Sequence, residues 1–464
     1  MRKLNAFRTL AIYVAMIVAT VGLFLLIQSH GASLTAPPAA GTSGAVAPAG
    51  ASRVLLHVLL ALAAVIVVGQ VLGRLFAYLR QPPVIGEVVA GILLGPSLLG
   101  AELSALILPP AAAPALGLIA QLGAILYMFL VGLELNASQL KHRVQATVIT
   151  SHASIVVPFL LGAVLALELY PRLSHDGVPF TSFALFMGVA MSITAFPVLA
   201  RILADHGIIK TPLGVTALSC AAIDDVTAWC LLALVIGVTQ AQVDGGLLVA
   251  VGALLYIAFM FLAVKPAVAK TIGRWNAEHL PRGAVALVFV ALLLSALATE
   301  AIGIHAIFGA FLLGVVIPHD SVVARNFTRQ LEGFVTVVLL PAFFAYTGMR
   351  TRIDLLSSAE LWLICGLIVA VATLGKFGGT FVAARLTGLS WRDATALGAL
   401  MNTRGLMELI VLNIGLDLGV ISPTLFTLMV VMALVTTVMA APVLHWLQPK
   451  PVAGAARKRA LGRT

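Results

Sequence analysis

Two adjacent carboxylates, Asp224 and Asp225, stand in the stretch "SCAAIDDVTAWCLLALVIGV" (219–238), which otherwise reads as a helix buried in lipid. A charge near the bilayer centre costs on the order of 3 kcal/mol even on the gentler insertion scales, so two like charges there demand compensation. Neighbouring residues on a helix point about 100° apart, and these two carry the same sign, so neither neutralises the other. Lys376 is the base at membrane depth that lacks an acid close by in sequence. If it pairs with one aspartate, the second is a carboxylate stripped of water that holds either a proton or a metal cation. One site with two mutually exclusive occupants is the chemistry of an exchanger. The bland alternative is a structural Asp–Asp–Lys cluster.

Two further stretches carry polar residues at membrane depth. In "GVAMSITAFPVLARIL", Ser192, Thr194 and Pro197 follow closely on one another. A proline removes a helical hydrogen bond and clashes with the carbonyl four residues back, which frees carbonyls near Ile193 and Thr194. In "ALMNTRGLMELIVLNIG", Asn402, Thr403 and Arg404 precede Gly405. Both read as helices interrupted in mid-membrane, offering backbone carbonyls and helix ends to a cation. The alternatives are a plain proline kink and a plain helix with a buried polar face. Arg404 and Glu408 lie four residues apart, so on a helix they share a face as a structural ion pair. Glu87 and Glu134 lie near span ends, from which a long side chain reaches the interface.

The elements that must position these groups follow from composition. The 464 residues are 61% hydrophobic and 10% charged, with a mean hydropathy of +1.09. A soluble domain carries roughly 25% charged residues. Barrel strands would alternate polar and apolar, whereas here the apolar runs are continuous and of the length a helix needs to cross a bilayer. The chain therefore reads as an all-α polytopic membrane protein of about thirteen spans. Their approximate limits are 54–79, 84–100, 115–135, 145–169, 180–203, 212–238, 246–264, 283–301, 304–318, 334–349, 359–387, 393–419 and 423–447. Interrupted segments at corresponding places in two halves mark an inverted repeat. The fifth and twelfth spans satisfy this if spans 1–6 and 8–13 are the halves, and they then run in opposite directions.

Residues 1–28 have the basic-then-apolar layout of a signal peptide or a membrane anchor, the length favouring an anchor. An Ala/Gly/Pro-rich linker (29–53) follows, then the transmembrane domain (54–447) and a short basic tail (448–464). With the linker outside, most Lys and Arg fall on alternate, cytoplasmic connections, and the outer side holds Arg53, Arg172, Arg350 and Arg352. The net charge of +10 is thus a topology signal that puts the C-terminus in the cytoplasm, and nucleic acid is not needed to explain it. Cys220, Cys230 and Cys365 lie in apolar spans without metal spacing and read as small buried hydrophobes. Gly91 and Gly95 permit close helix approach, within the chain or at a dimer seam. His142 and His305 are lone histidines that could sense pH. No cofactor is indicated, and no enzyme chemistry.

The stretches "PPVIGEVVAGILLGPSLLG", "SITAFPVLARIL", "AAIDDVTAWCLLA", "GIHAIFGAFLLGVVIP" and "LMNTRGLMELIVLNIG" together resemble the monovalent cation:proton antiporter-2 family, from about Leu55 to the last span. The resemblance implies a thirteen-helix fold with an inverted repeat, a core domain moving against a dimerisation domain, a homodimer, and a bacterial inner-membrane location. It implies that Asp225 is the main cation and proton carboxylate, and that Asp224 alternates between Lys376 and the cation. Thr194 and the segment from Asn402 to Gly405 would form the crossing of the two interrupted helices. The Asp–Asp form with a lysine resembles electrogenic sodium/proton exchangers, while the flanking sequence resembles members that move potassium. Regulation through a cytosolic nucleotide-binding domain is not expected. A gated cation channel on the same scaffold is the alternative, although no repeated ring of filter carbonyls or charges is present.

Overall fold

Long apolar runs satisfy their backbone in lipid as helices. Accordingly, every regular element among the described residues is helical. The computed structural model describes residues 2–34, 51–79, 81–134, 144–209, 211–240, 246–272 and 280–447. The first helices are α1 (Arg2–Gly31), α2 (Ala51–Tyr78), α3 (Pro83–Leu94), α4 (Pro96–Leu99), α5 (Ala101–Ile107) and α6 (Ala113–Glu134). Next come α7 (Val144–Leu173), α8 (Phe180–Ser192), α9 (Phe196–Asp205), α10 (Pro212–Gln240), α11 (Gly246–Phe259) and α12 (Lys265–Ile272). They are followed by α13 (Arg282–Ile302), α14 (Ala306–Val316), α15 (Val322–Phe334), α16 (Leu340–Arg350), α17 (Ala359–Thr373) and α18 (Gly379–Leu386). The last are α19 (Trp391–Met401), α20 (Leu406–Asp417) and α21 (Pro423–Leu447). Three π-helical turns, Met260–Val264, Val335–Leu339 and Leu374–Gly378, join α11 to α12, α15 to α16 and α17 to α18.

Among the described residues, ten helical stretches, α1 included, are long and apolar enough to cross a bilayer. Four expected spans are instead built from shorter pieces. The span expected at 84–100 stops at Gly95 because Pro96 cannot continue the hydrogen-bond ladder. The one expected at 304–318 starts after Gly303, which closes α13 in a left-handed conformation, and spans only α14. The fifth and twelfth are broken, as their polar runs require. The expected span 334–349 begins earlier, at Val322, and that at 246–264 continues to Ile272, because a π turn bulges a helix without ending it.

The helices pack as two groups. One holds α7 to α10 and α17 to α21, with α1 laid against α7 and α8. The other holds α2, α3, α6 and α13 to α16. One of its tight seams is the crossing of α3 and α16, where a Cβ on Gly348 would lie 2.0 Å from the Gly91 carbonyl carbon. Gly91 and Gly95 therefore serve packing inside the chain, both meeting α16.

Side-chain contacts also fix relative direction. Ser422 Oγ, just before α21, donates to the Leu173 carbonyl at the end of α7 at 2.6 Å. Arg392 Nε, at the start of α19, donates to the Leu447 carbonyl at 2.6 Å. The start of α8 and the end of α20 thus share one end of the bundle, and the two broken elements run antiparallel, as an inverted repeat requires. Ile27 of α1 is buried, Phe24 packs on Phe159 at 6.0 Å, and Gly31 closely approaches the Phe180 ring. The linker residues 35–50, His142 and the tail 448–464 lie outside the described residues.

Candidate functional site

The site forms where α10, carrying Asp224 and Asp225, passes the breaks in the two antiparallel elements. Both carboxylates are buried, at 0% and 1% exposure. Asp224 is held on both oxygens. Its Oδ1 accepts from Ser151 Oγ at 2.5 Å, and its Oδ2 accepts from Ser154 Oγ at 2.5 Å, Thr194 Oγ1 at 3.0 Å and Lys376 Nζ at 3.0 Å. Ser151 and Ser154 sit three residues apart and so share a face of α7. Lys376 projects from the π turn between α17 and α18, a local widening that recurs at functional sites. Its ammonium donates to Asp224 and to the carbonyls of Ser154 (2.8 Å) and Ser192.

The breaks are Ile193–Ala195 and Asn402–Gly405, and they touch. The Ala195 N–H donates to the Thr403 carbonyl at 3.0 Å, and Thr194 Oγ1 lies 3.4 Å from the Met401 carbonyl. Pro197 is the second residue of α9, where a missing N–H costs nothing; the carbonyl it cannot serve is that of Ile193, within the break. Ser192 Oγ stays with the helix, near the carbonyls of Gly188 (2.7 Å) and Ile155 (2.9 Å). Thr403 Oγ1 bonds the Leu400 carbonyl at 2.8 Å, and Asn402 Oδ1 is buried without a partner.

Arg404 corrects one expectation. It lies in the extended break, since α20 starts only at Leu406, so it and Glu408 share no helical face. They pair nonetheless, Nη1 to Oε2 at 3.0 Å, with both side chains fully buried. The guanidinium is drawn off the helix because it also donates to the carbonyls of Ala190 (2.7 Å) and Met191 (2.6 Å), the unsatisfied negative end of α8. Thr437 of α21 fixes this conformation, its hydroxyl meeting both the N–H (2.8 Å) and the carbonyl (2.5 Å) of Arg404.

The charged side chains buried among the described residues are Asp224, Asp225, Glu408, Lys376 and Arg404. Three acids stand against two bases, so with all ionised one negative charge is uncompensated. Glu408 faces Arg404 and Asp224 faces Lys376. The remainder falls on Asp225, whose Oδ2 is buried with no hydrogen-bond partner. The described residues hold no group of three or more His, Cys, Asp or Glu side chains that could hold a metal ion.

A cavity of about 340 Å³ reaches the crossing from the Leu447 end, with Ala195, Val198 and Leu406 in its wall. Glu87, Glu134, Glu332, Tyr127 and Thr336 also line it. Glu87 and Glu134 thus face a passage, where their sequence position suggested only the interface. Among the described residues, a polar network closes the other end of the same helices. Arg350 of α16 pairs with Asp417 of α20 at 2.6 Å and donates to Asn413 Oδ1 at 3.1 Å, while Asn413 Nδ2 donates to Thr347 Oγ1 at 2.9 Å. The Arg352 N–H reaches Thr427 Oγ1 of α21 at 3.0 Å. The gap left there, lined by His305, Tyr346, Asn413 and Asp417, holds only about 30 Å³. His305 caps α14 through its ring nitrogen.

The structure thus brings together Asp224, Asp225, Thr194, Lys376, Ser192, Asn402, Thr403, Arg404 and Glu408, with Pro197 just beyond the break. Sequence reasoning missed Ser151, Ser154, Thr437 and the Arg350–Asp417 clasp. The serines fall at a same-face spacing followed by Pro158, a faint signal in a span with other hydroxyls. Cys230 is exposed rather than buried.

Comparison with known proteins gives concordant results. The profile of the family "Sodium/hydrogen exchanger, transmembrane" matches residues 59–448. The Na(+)/H(+) antiporter NhaS4 of Synechocystis sp. is 45% identical over 408 residues, covering 86% of this chain and 99% of that protein. Cation/H(+) antiporter 20 of Arabidopsis thaliana is 40% identical over 85% of this chain, which spans 49% of that protein. The K(+)/H(+) antiporter 1 of Saccharomyces cerevisiae is 34% identical over 82% of this chain, which spans 45% of it. Among solved structures, the sodium proton antiporter MjNhaP1 from Methanocaldococcus jannaschii superposes with a TM-score of 0.63 at 15% identity, covering 85% of this chain and 98% of that one. That likeness speaks for the fold.

Proposed function

Because the chain belongs to the sodium/hydrogen exchanger family, a family of transporters and not of enzymes, we propose that it exchanges a monovalent alkali cation for protons across its membrane. The observation that carries this reading is the single uncompensated charge at Asp225. A buried carboxylate without a partner must be neutralised, and a proton and an alkali cation each bring one positive charge to the same oxygen. Occupied by either, the site is neutral and can cross a low-dielectric barrier; empty, it is charged and costly to move. Obligatory exchange follows.

Each of the other residues then has a role. Asp224 and Lys376 form the standing pair beside the site, and Thr194 ties that pair to the crossing. Arg404 offsets the negative end of α8, and Glu408 balances Arg404. Asn402 Oδ1 and the break carbonyls are the neutral oxygens that complete a cation's shell. Access would alternate: the acidic cavity leads to the crossing from the Leu447 end, and the Arg350–Asp417 clasp bars the other. The bases on the connections at the Leu447 end support a cytoplasmic placement of that end and of the C-terminus, in a bacterial inner membrane. A homodimer through the group of helices that holds α2, whose exposed apolar side chains include Leu55, Leu59 and Val67, belongs to the same reading. The names of the relatives span sodium and potassium, which supports an alkali cation as the substrate class.

The test is reconstitution into proteoliposomes with an imposed pH gradient. Adding Na⁺ or K⁺ should dissipate the gradient, and Asp225→Asn should abolish the response while Arg172→Gln, far from the crossing, leaves it. Cation-dependent exchange by Asp225→Asn at the unmodified rate would refute the site. Reversal potentials that ignore the pH gradient would instead indicate a channel.

A further inference from the structure

The hydrogen bonds divide the two aspartates sharply, and the division originates on α7. An ammonium has three N–H donors. In Lys376 all three are taken, by the carbonyls of Ser154 and Ser192 and by Asp224 Oδ2. No donor is left for Asp225. Asp224 in turn receives hydrogen bonds from Ser151, Ser154, Thr194 and Lys376. Ser154 serves the pair twice, its hydroxyl on the carboxylate and its carbonyl on the ammonium. That hydroxyl also lies 2.8 Å from the Ser151 carbonyl, but the carboxylate is nearer, at 2.5 Å, and charged.

The backbone is built for this contact. A Cβ on Gly375 would come within 2.8 Å of the Pro158 Cα, and one on Gly379 within 2.9 Å of the Val157 side chain. Small residues on either side of Lys376 therefore let the π turn press against α7, so that the lysine reaches a serine carbonyl one turn earlier. If Asp224 swung away to meet a cation, Ser151 Oγ and one N–H of the Lys376 ammonium would lose their acceptor, while Ser154 Oγ would fall back on the Ser151 carbonyl and Thr194 on the longer contact to Met401. Each buried donor left over carries a desolvation penalty.

We infer that Ser151 and Ser154 are positioning residues that reserve Asp224 for Lys376 through the transport cycle, leaving Asp225 as the one carboxylate that meets the cation. This departs from the expectation that Asp224 alternates between the lysine and the cation. It rests on the exchange reading above, and its test separates the two.

The experiment is a double-mutant cycle between the serines and Asp224, read in two ways on purified, reconstituted protein. One readout is the concentration of Na⁺ or K⁺ giving half-maximal thermal stabilisation, which needs no transport. The other is the KM and maximal rate of cation-driven dissipation of a pH gradient. In S151A/S154A, Asp224 is free to share the cation. Half-saturation should fall by roughly tenfold, the scale of one hydrogen bond to a charged group, while the maximal rate falls as release slows. In the Asp224→Asn background, the same serine changes should shift half-saturation by less than about twofold. A structural role for the serines would act equally in both backgrounds, and that result overturns the proposal. So does unchanged half-saturation in S151A/S154A. Where the double variant does not fold, S151A or S154A alone completes the same cycle. Exchange by Asp225→Asn would sink the assignment of Asp225, and failure of Na⁺ and K⁺ to dissipate the gradient with the unmodified protein would sink the exchange reading itself, whatever the serine cycle gives.

Discussion

The clasp between Arg350 and Asp417 makes the closed end of the bundle open to measurement. Asp417→Asn keeps the shape of the side chain and removes one charge of the pair. The two side chains are 21% and 40% exposed, so the pair is partly screened by water. Discounted accordingly, such a pair is worth about 0.5–1 kcal/mol. Arg350→Gln removes more: the pair, the hydrogen bond to Asn413 and the placement of the guanidinium 5.1 Å from the Tyr346 ring. Together these come to about 2 kcal/mol. Since about 1.4 kcal/mol is tenfold in an equilibrium, the state open at that end should gain roughly threefold in Asp417→Asn and roughly thirtyfold in Arg350→Gln.

The assay is labelling of a single cysteine at Ile414, which lines the closed gap, in a background where Cys220, Cys230 and Cys365 are replaced. A membrane-impermeant maleimide added from that side should label Ile414→Cys at rates in the order Arg350→Gln, Asp417→Asn, unmodified clasp. As a converse, paired cysteines at Arg350 and Asp417, oxidised to a disulfide, should stop exchange, and reductant should restore it. Equal labelling in all three clasps, or full exchange with the disulfide closed, would refute the view that this contact must part during transport.

Other consequences concern the crossing and the packing. Arg404→Ala strands the Glu408 carboxylate and the α8 carbonyls, both buried, and should cost about 3–5 kcal/mol of stability, read as a lower melting temperature in detergent. Arg404→Lys should recover only part of it, because one ammonium cannot match the planar fork that serves Ala190, Met191 and Glu408 together. Competition at Asp225 has a definite sign: lowering pH raises proton occupancy, so the apparent KM for the cation should rise, approaching tenfold per pH unit in the range where the proton dominates. A maximal rate that fell with pH at constant KM would contradict a shared site. Gly348→Ala, whose Cβ would stand 2.0 Å from the Gly91 carbonyl carbon, should destabilise the protein by about 1–3 kcal/mol or more without altering cation KM.

Much of this was legible in the sequence because lipid allows few choices. Continuous apolar runs can only be helices, so the order of elements and most of their limits follow from hydropathy. The charges that do not belong at membrane depth are conspicuous for the same reason. Lys376 could be assigned to the aspartate pair, 152 positions from Asp224, because no other base lacked a local mate. The residues on their own left open which aspartate it takes, although the family resemblance already pointed to Asp224. That choice is made by Ser151 and Ser154, and a serine in an apolar span costs too little to stand out. The acidic cavity was hidden differently: Glu87, Glu134 and Glu332 are far apart in sequence, and each alone reads as a side chain reaching for the interface.

Arg404 shows where local reasoning gives way. Its spacing from Glu408 is the helical ion-pair spacing, and on an isolated helix that pair contributes only about 0.5 kcal/mol. Two unsatisfied carbonyls at the buried end of α8 offer a guanidinium more, since each would otherwise remain unpaired at a cost of about 1–3 kcal/mol. The broken helix α8 thus draws Arg404 out of helical geometry, and with it α20 starts late, at Leu406. One interruption helps to impose the other. The two breaks meet because each supplies what the other lacks, a cation for a helix end and a carbonyl for a free N–H, and the exchange site is the place beside them where this mutual satisfaction leaves one carboxylate over.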